Sequence, residues 1–389
     1  MVPNQRFCFH PMKTMIGAYG PWAASLPPDQ PGPLSLQTCP PGEFGARRAA
    51  ARARVTACMA PPAITGKVVA EVRRRFVHDG LEMEEISWQL PYGPPTEAFV
   101  LKPAGAKGRL PGVLALHDHG RFKFLGKEKI TKTSDAVHPL VVQHRTEAYE
   151  GLAWANELAH RGYVVLVHDA FAFRSRRVRI ADVPPELRGG MKDDTDDSPA
   201  GVAAYNDWAA DHEHVMAKTL FSAGTTWPGV FAAEDRVALD VLCARPDVDP
   251  QRVGCGGLSG GGLRTVFLAG MDDRIRCAVC VGMMTTWRDF ILHKSYTHTW
   301  MCYVPLLPRD LDYPEILGLR APLPTLVMNT RDDPLFTLDE MKRAEAILAR
   351  IYAAGGRPEA FTCSWYPGHH QFNRAMQSEA FTWFDRWLG

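Results

Sequence analysis

The sequence predicts an α/β protein with a mostly parallel central sheet flanked by helices. Of its 389 residues, 46% are hydrophobic and 22% are charged, a balance typical of a globular protein with a sizeable core. Short apolar runs, as in "GVLALHDHG" (112–120) and "YVVLVHDA" (163–170), are typical of strands buried on both faces. Such runs alternate with helix-like stretches toward the C-terminus, and this alternation indicates βαβ units.

The N-terminal third contains an arm, a helix and several strands. Residues 1–42 are rich in Pro and Gly without a period and predict a wrapping arm, and 43–59 predict an Ala- and Arg-rich helix that ends before Pro61. From Val72 the pattern alternates as in β-strands, interrupted by turn signals such as Asp79-Gly80.

A helix-like stretch, 149–162, separates the two buried strands. Beyond it, helices and strands follow one another with short connections. The predicted elements are helix 230–245, strand 252–257, helix 260–271, strand 277–282, strand 323–329, helix 338–353, strand 359–365 and helix 374–388. Strands linked through helices pair in parallel, so the series predicts a parallel sheet with helices on both faces.

We expect residues 1–66 to form an arm and helix packed on a single catalytic domain, 67–389. Two long connections, 174–226 and 285–320, interrupt its rhythm, and connections of this length are usually functional insertions or lids. The apolar and aromatic "THTWMCYVPLL" in the second could line a substrate pocket or pack in the core. Three arginines in the first, Arg174, Arg176 and Arg177, predict a surface charge cluster, or contacts to a carboxylate or sugar.

Charge and composition favour a cytoplasmic protein that acts on a small molecule. The net charge of +1 gives no electrostatic reason to expect a nucleic-acid or membrane partner. No run approaches the roughly 20 apolar residues that span a bilayer. The nine cysteines lack a disulfide framework, and the C-x-x-C of Cys277 and Cys280 predicts free core thiols in a buried strand. A weak export signal and a homo-oligomer both stay open.

The segment "GGLSGGG" surrounds Ser259 with glycines between a predicted strand, "RVGCGG", and a predicted helix. This is the strand–turn–helix context that the G-x-S-x-G motif requires. A tight turn strains the serine backbone, and its glycine neighbours let strand and helix approach closely. We therefore predict Ser259 to be a nucleophile at the carboxyl edge of the sheet. A phosphate-binding loop would need a lysine that is absent here, and an inert turn is the remaining alternative.

A nucleophilic serine needs a histidine base and an acid that orients it. The strand "LPTLVMN" is followed by Asp332 and Asp333, and the strand "FTCSWYP" by His369 and His370. One residue of each pair therefore follows Ser259 in the order acid, then histidine, that this arrangement uses.

An oxyanion intermediate also needs backbone N–H donors. We expect one from Gly260, which begins the helix after the serine, and one from the loop after "GVLALHDHG", around His119. His117 and His119 themselves are expected to shape that loop.

These residues resemble the α/β-hydrolase superfamily, and more narrowly its dienelactone-hydrolase-like and acetylxylan-esterase-like branch. The resemblance runs from about residue 45 to the C-terminus, on "LHDHG", "GYVVLVHDAFAFRSR", "DRVALDVLCARPDVDPQRVGCGGLSGGG", "APLPTLVMNTRDDPLF" and "WYPGHHQF". It implies the α/β-hydrolase fold, with Asp333 as the acid and His370 as the base.

The chain departs from that pattern at several positions. Asp118 stands where a glycine is usual after the first histidine, and Thr330 and His369 replace glycines before the acid and the base. The nucleophile position holds serine, whereas dienelactone hydrolases use cysteine, and Cys255 would lie inside a strand. The resemblance thus implies a serine esterase rather than a dienelactone hydrolase.

The sequence therefore predicts a serine esterase for short acyl or acetyl esters, without cofactor or metal. A peptidase or amidase on the same fold is the main alternative, although about 110 residues before the oxyanion strand are too few for the propeller of peptidase relatives. A metal-dependent hydrolase could use the clusters "HDH" (117–119), "DHEH" (211–214) or "HH" (369–370), yet none has the spacing of a zinc signature. A non-catalytic binding protein on a hydrolase scaffold is the last alternative.

Overall fold

The computed structural model describes residues 13–28 and 31–389. In this part of the chain, nine strands form one sheet. The strands are β1 (Glu71–His78), β2 (Leu81–Trp88), β3 (Thr96–Pro103), β4 (Leu110–Ala115), β5 (Val164–His168), β6 (Val248–Leu258), β7 (Ile275–Val281), β8 (Thr325–Thr330) and β9 (Phe361–Tyr366). Their spatial order is β1-β2-β3-β5-β4-β6-β7-β8-β9.

The sheet is mixed, with a parallel majority. Strands β1, β2 and β3 pair antiparallel, and β3 continues antiparallel onto β5. From β5 through β4, β6, β7 and β8 to β9 every pairing is parallel. The prediction of a mostly parallel sheet is confirmed. Because parallel strands share a direction, the loops after β4, β6, β8 and β9 leave the sheet at the same edge.

Helices cover both faces of this sheet. They are α1 (Gly20–Ala24), α2 (Phe44–Met59), α3 (Pro139–Tyr149), α4 (Trp154–His160), α5 (Pro199–Ser222), α6 (Trp227–Cys243), α7 (Gly260–Met271), α8 (Trp287–Asp289), α9 (Tyr313–Gly318), α10 (Leu338–Ala354) and α11 (Arg374–Leu388). Side chains of α2, α6, α7, α9 and α10 build the core on one face, and those of α4 and α11 build it on the other.

A third, smaller core lies outside the sheet. Phe122 and Phe124, which follow β4, pack there with Tyr205 and Trp208 of α5. The first long connection thus folds back onto the loop after β4 with apolar contacts of its own.

Helices α3 and α5 are the longest helices that the sequence did not predict. Helix α3 was not expected; its buried positions are Val141, Arg145 and Tyr149, so an arginine interrupts the apolar stripe by which a helix is recognised. Helix α5 has 24 residues and lies within the first long connection, 174–226, for which no helix was predicted above. Its start is marked by Ser198, whose side chain accepts a hydrogen bond from the Gly201 N–H, and by a proline in the first turn.

The surface cluster predicted for Arg174, Arg176 and Arg177 is wrong for two of the three. Arg176 is buried and pairs with Glu234 at 2.6 Å, and Arg177 is buried and donates to the Asp194 carbonyl at 2.9 Å. The Arg177 guanidinium also lies 3.9 Å from the Asp194 carboxylate, so both charges are matched inside the protein and the two residues are structural.

The predicted free thiols, Cys277 and Cys280, lie buried and unbridged in β7. Among the described residues, no helix combines the length and the apolar character needed to cross a bilayer.

Candidate active site

Ser259 occupies a strained turn between β6 and α7. Its φ of 56° and ψ of −115° place a non-glycine residue in a sparsely populated conformation. Two backbone bonds hold it there: its N–H donates to the Val281 carbonyl at 2.9 Å, and its carbonyl accepts from the Leu263 N–H at 2.8 Å. Strain that is retained in this way is typical of functional positions.

The glycines beside the serine are required by packing. A Cβ at Gly257 would lie 2.2 Å from the Leu116 carbonyl oxygen, and one at Gly261 would lie 2.0 Å from the same atom. The end of β4 therefore passes so close to the turn that no side chain fits at either position.

Asp333 and His370 meet at the same edge of the sheet. Asp333 follows β8, His370 follows β9, and His370 Nδ1 lies 2.6 Å from Asp333 Oδ2. The other carboxylate oxygen of Asp333 accepts the Leu335 N–H at 2.9 Å. Since Nδ1 is committed to the carboxylate, His370 Nε2 is the ring nitrogen left for proton transfer, and it has no partner among the described residues.

The two neighbouring candidates contact other groups. The Asp332 N–H donates to the Gly368 carbonyl at 3.2 Å, and the Asp332 carboxylate accepts the Gly368 N–H at 3.1 Å, so Asp332 ties the loop after β8 to the loop after β9. His369 Nε2 lies 3.4 Å from the Glu147 carbonyl at the surface. The structure therefore brings Asp333 and His370 together and leaves Asp332 and His369 outside the pair.

Ser259 and His370 line one cavity of about 430 Å³, together with His119 and Gly260. A Cβ at Gly260 would lie 2.6 Å from the His119 backbone nitrogen, so the two residues pack backbone against backbone. Gly260 N is the first N–H of α7, and the first-turn N–H groups of a helix have no partner within it. Two backbone donors thus lie side by side next to the serine.

Buried hydrogen bonds fix the position of the loop that carries His119. Lys129, fully buried, donates its ammonium to the Asp118 carbonyl at 2.5 Å and to the His119 carbonyl at 3.1 Å. The Arg121 N–H donates to His119 Nδ1 at 3.1 Å, so Nε2 carries the ring proton and donates to Glu213 Oε1 at 2.8 Å. Burial lowers the pKa of His119, consistent with a neutral ring.

Asp118, the departure from the family glycine, points away from the cavity. Its buried carboxylate accepts from the Tyr149 hydroxyl at 2.5 Å and from His144 Nε2 at 3.1 Å, both on α3. Burial alone would raise the pKa of Asp118, but the charges of His144 and Lys129 hold it well below its usual range. The side chain therefore braces the loop without occupying the space beside Ser259.

Both long connections contribute walls to the cavity. Glu213 comes from α5 in the first, and residues 296–302 come from the second. Glu213 accepts from three groups, namely His119, the Lys123 ammonium and the Thr299 hydroxyl, the last at 2.7 Å. Burial would raise its pKa, but the hydrogen bond from the His119 ring and the charge and hydrogen bond of Lys123 hold it well below the usual value. Glu213 thus ties both insertions to the loop that carries His119.

Sequence reasoning missed Glu213 and Arg121 as cavity residues, and Lys123 as the buried partner of Glu213. Glu213 lies inside the "DHEH" run, which was considered above only as a possible metal-binding cluster. Within residues 13–28 and 31–389, no group of three or more His, Cys, Asp or Glu side chains is arranged to hold a metal ion. Cys255, the other nucleophile considered, is buried in β6, and burial raises the pKa of its thiol to about 12.

No family model matches the chain. Over 294 residues it is 26% identical to "Putative hydrolase YtaP" of Bacillus subtilis (strain 168), an alignment that covers 75% of this chain and 83% of that protein.

Solved structures with the same fold are named as esterases. A "putative acetyl xylan esterase" from Bacteroides fragilis NCTC 9343 superposes with a TM-score of 0.68 at 16% identity, over 90% of this chain and 82% of that one. A glucuronoyl esterase from Solibacter usitatus has a TM-score of 0.58 at 14% identity, over 89% and 93% of the two chains. Likeness at this identity shows the fold alone: the chain has the α/β-hydrolase fold, as the sequence predicts.

Proposed function

We propose that the protein is a serine hydrolase that cleaves short acyl esters through an acyl-enzyme intermediate. The observation that supports this most is the convergence of a strained serine and a carboxylate-paired histidine on one cavity, beside two backbone N–H groups. The names of the similar solved structures support an ester substrate, and acetyl groups on carbohydrate are one such class.

In the first half-reaction, Ser259 Oγ attacks the ester carbonyl carbon while His370 Nε2 takes the hydroxyl proton. Asp333 keeps the proton of His370 on Nδ1 and stabilises the imidazolium that forms. The oxyanion accepts hydrogen bonds from the N–H groups of Gly260 and His119. As the intermediate collapses, the C–O bond to the alcohol breaks, and the imidazolium gives its proton to the leaving oxygen.

In the second half-reaction, water attacks the acyl-serine carbonyl. His370 Nε2 takes a proton from the water and returns it to Ser259 Oγ, which releases the carboxylic acid. The same two backbone N–H groups stabilise the second oxyanion, so one arrangement serves both steps.

Glu213 has a positioning role in this scheme. Glu213 takes no part in proton transfer, because its carboxylate is already paired with the Lys123 ammonium and accepts the ring N–H of His119. By holding the His119 ring it fixes the loop on which the second oxyanion donor lies. Glu213 thereby connects helix α5, which belongs to the first insertion, to the loop that carries the second oxyanion donor.

The cavity volume supports a small substrate. About 430 Å³ lies at the lower end of the range for ligand-binding sites in proteins, roughly 300 to 1,000 Å³. A short acyl group with its alcohol fits such a space better than an extended chain.

The test is hydrolysis of p-nitrophenyl esters of graded acyl length, with acetylated sugars and a peptide anilide in parallel. We expect the fastest turnover on acetate to butyrate, and a loss of several orders of magnitude in kcat/KM for Ser259→Ala. Ser378→Ala, at an exposed serine on α11, is the matched control and should keep full activity. Retained hydrolysis in the folded Ser259→Ala protein would refute the proposal, and faster cleavage of the anilide would favour an amidase.

A further inference from the structure

Arg121 stands in a strained position directly after the oxyanion loop. Its φ is 52°, in the left-handed region that glycine adopts without cost, and it follows Gly120 with a φ of 54°. Its backbone N–H is fixed by the bond to His119 Nδ1. A long, charged side chain is therefore retained where a glycine would relieve strain.

Arg121 lines the cavity that contains Ser259, and its charge has no carboxylate partner among the described residues. The residue is exposed, and no carboxylate of the described residues lies within ion-pair distance of its guanidinium. The carboxylate that lines the same cavity, Glu213, is already paired with Lys123. Asp333 lies fully buried behind the His370 ring, to which it is bonded.

A planar guanidinium with its fork of N–H donors matches a carboxylate, and the pair is strongest where water is partly excluded. One guanidinium neutralises one carboxylate, whereas a phosphate monoester carries nearly two negative charges at neutral pH. A single arginine therefore matches a carboxylate better than a phosphate. Arg121 and Ser259 line the same cavity. One substrate molecule could therefore place an anionic group at Arg121 and its scissile ester at Ser259.

We infer that the substrate is an ester that carries a second, free carboxylate, and that Arg121 binds this carboxylate. The inference rests on the proposed esterase function and specifies its substrate class. Binding the anion at this point places the ester carbonyl beside Ser259 and the two oxyanion donors. Arg121 is thus a specificity residue of the site.

The experiment compares two pairs of esters that differ only in this charge. One pair places the carboxylate on the alcohol side, 4-acetoxybenzoate against 4-acetoxybenzamide, and the other on the acyl side, monomethyl glutarate against its terminal amide, methyl glutaramate. Initial rates by pH-stat are measured for wild type, Arg121→Gln, Arg121→Lys and the control Arg309→Gln, which removes an exposed arginine outside the cavity. Both substitutions at 121 keep a long side chain, so the backbone strain is unchanged.

We expect Arg121→Gln to lower kcat/KM about tenfold for the carboxylate of at least one pair, chiefly through KM, and less than twofold for its neutral partner. Arg121→Lys should restore part of the loss, and Arg309→Gln should match wild type. Equal losses on charged and neutral esters, or no loss on either charged ester, would overturn the inference while hydrolysis of the neutral esters keeps the proposed function. No hydrolysis of any of the four esters by wild type would overturn both.

Discussion

Replacing Gly260 by alanine should disable the oxyanion hole while Ser259, Asp333 and His370 stay intact. The added Cβ would lie 2.6 Å from the His119 backbone nitrogen and 3.2 Å from its Cα. Both separations fall short of ordinary van der Waals contact, the first by roughly 1 Å. The clash falls on the two residues whose N–H groups are proposed to bind the oxyanion.

The loop has little freedom to absorb this clash. Lys129 holds the carbonyls of Asp118 and His119, and Glu213 holds the His119 ring. We therefore expect the donors to separate by nearly the full overlap. Loss of one oxyanion donor lowers kcat by about 10²- to 10³-fold, or about 3 to 4 kcal/mol, with KM changed only a few-fold. Overpacking should cost about 1 to 3 kcal/mol of unfolding free energy.

The control lies on the same helix. A Cβ at Gly270 would lie 2.2 Å from the Ile316 carbonyl oxygen, an equally severe backbone clash about 15 Å further along α7. Gly270→Ala should lose stability with kcat unchanged. Steady-state kinetics on p-nitrophenyl acetate and urea unfolding measure both quantities. A folded Gly260→Ala protein with kcat within threefold of wild type, or an equal loss of kcat in Gly270→Ala, would refute the reasoning.

Two further predictions concern the acid loop and α5. Asp333→Asn should lower kcat by about 10⁴-fold, because His370 loses its tautomer, whereas Asp332→Asn should stay within tenfold in the same ester assay; similar losses in both would contradict the assignment. Glu213 has a folded pKa below the roughly 4.3 of an unfolded Glu, so the stability it contributes is present above that pH and lost as the pH falls below it. Urea unfolding should therefore show the stability gap between wild type and Glu213→Gln narrowing below pH 4.3 by about 1.4 kcal/mol per pH unit, and a constant gap would argue against an ionised Glu213.

The central part of the fold could be predicted because its signals are local. The βαβ rhythm and the glycines around Ser259 lie in continuous sequence, and helix α11 begins and ends at its predicted residues, 374 and 388. Parallel strands then place the loops after β6, β8 and β9 at one edge, which is why Ser259, Asp333 and His370 could be proposed together. Their catalytic roles stay predictions for the assays above.

What could not be predicted depends on contacts between distant segments. Glu213 and His119 are 94 positions apart in the sequence, and no sequence motif around either residue indicates that they are in contact. The buried pairing of Arg176 with Glu234 spans 58 positions, so the local sequence indicated a surface cluster instead. The residues alone do not distinguish Asp332 from Asp333 as the partner of His370, because both follow β8 closely and only their hydrogen bonds differ.

Covalent trapping of the nucleophile tests the central claim most directly. The folded protein is treated with a fluorophosphonate and analysed by intact-mass and peptide mass spectrometry, with Ser259→Ala in parallel. We predict one phosphonyl group per chain, located on Ser259, loss of ester hydrolysis in proportion to labelling, and no adduct in the variant. An enzyme that hydrolyses esters but stays unlabelled at Ser259, or that labels equally well as Ser259→Ala, would contradict the proposed mechanism.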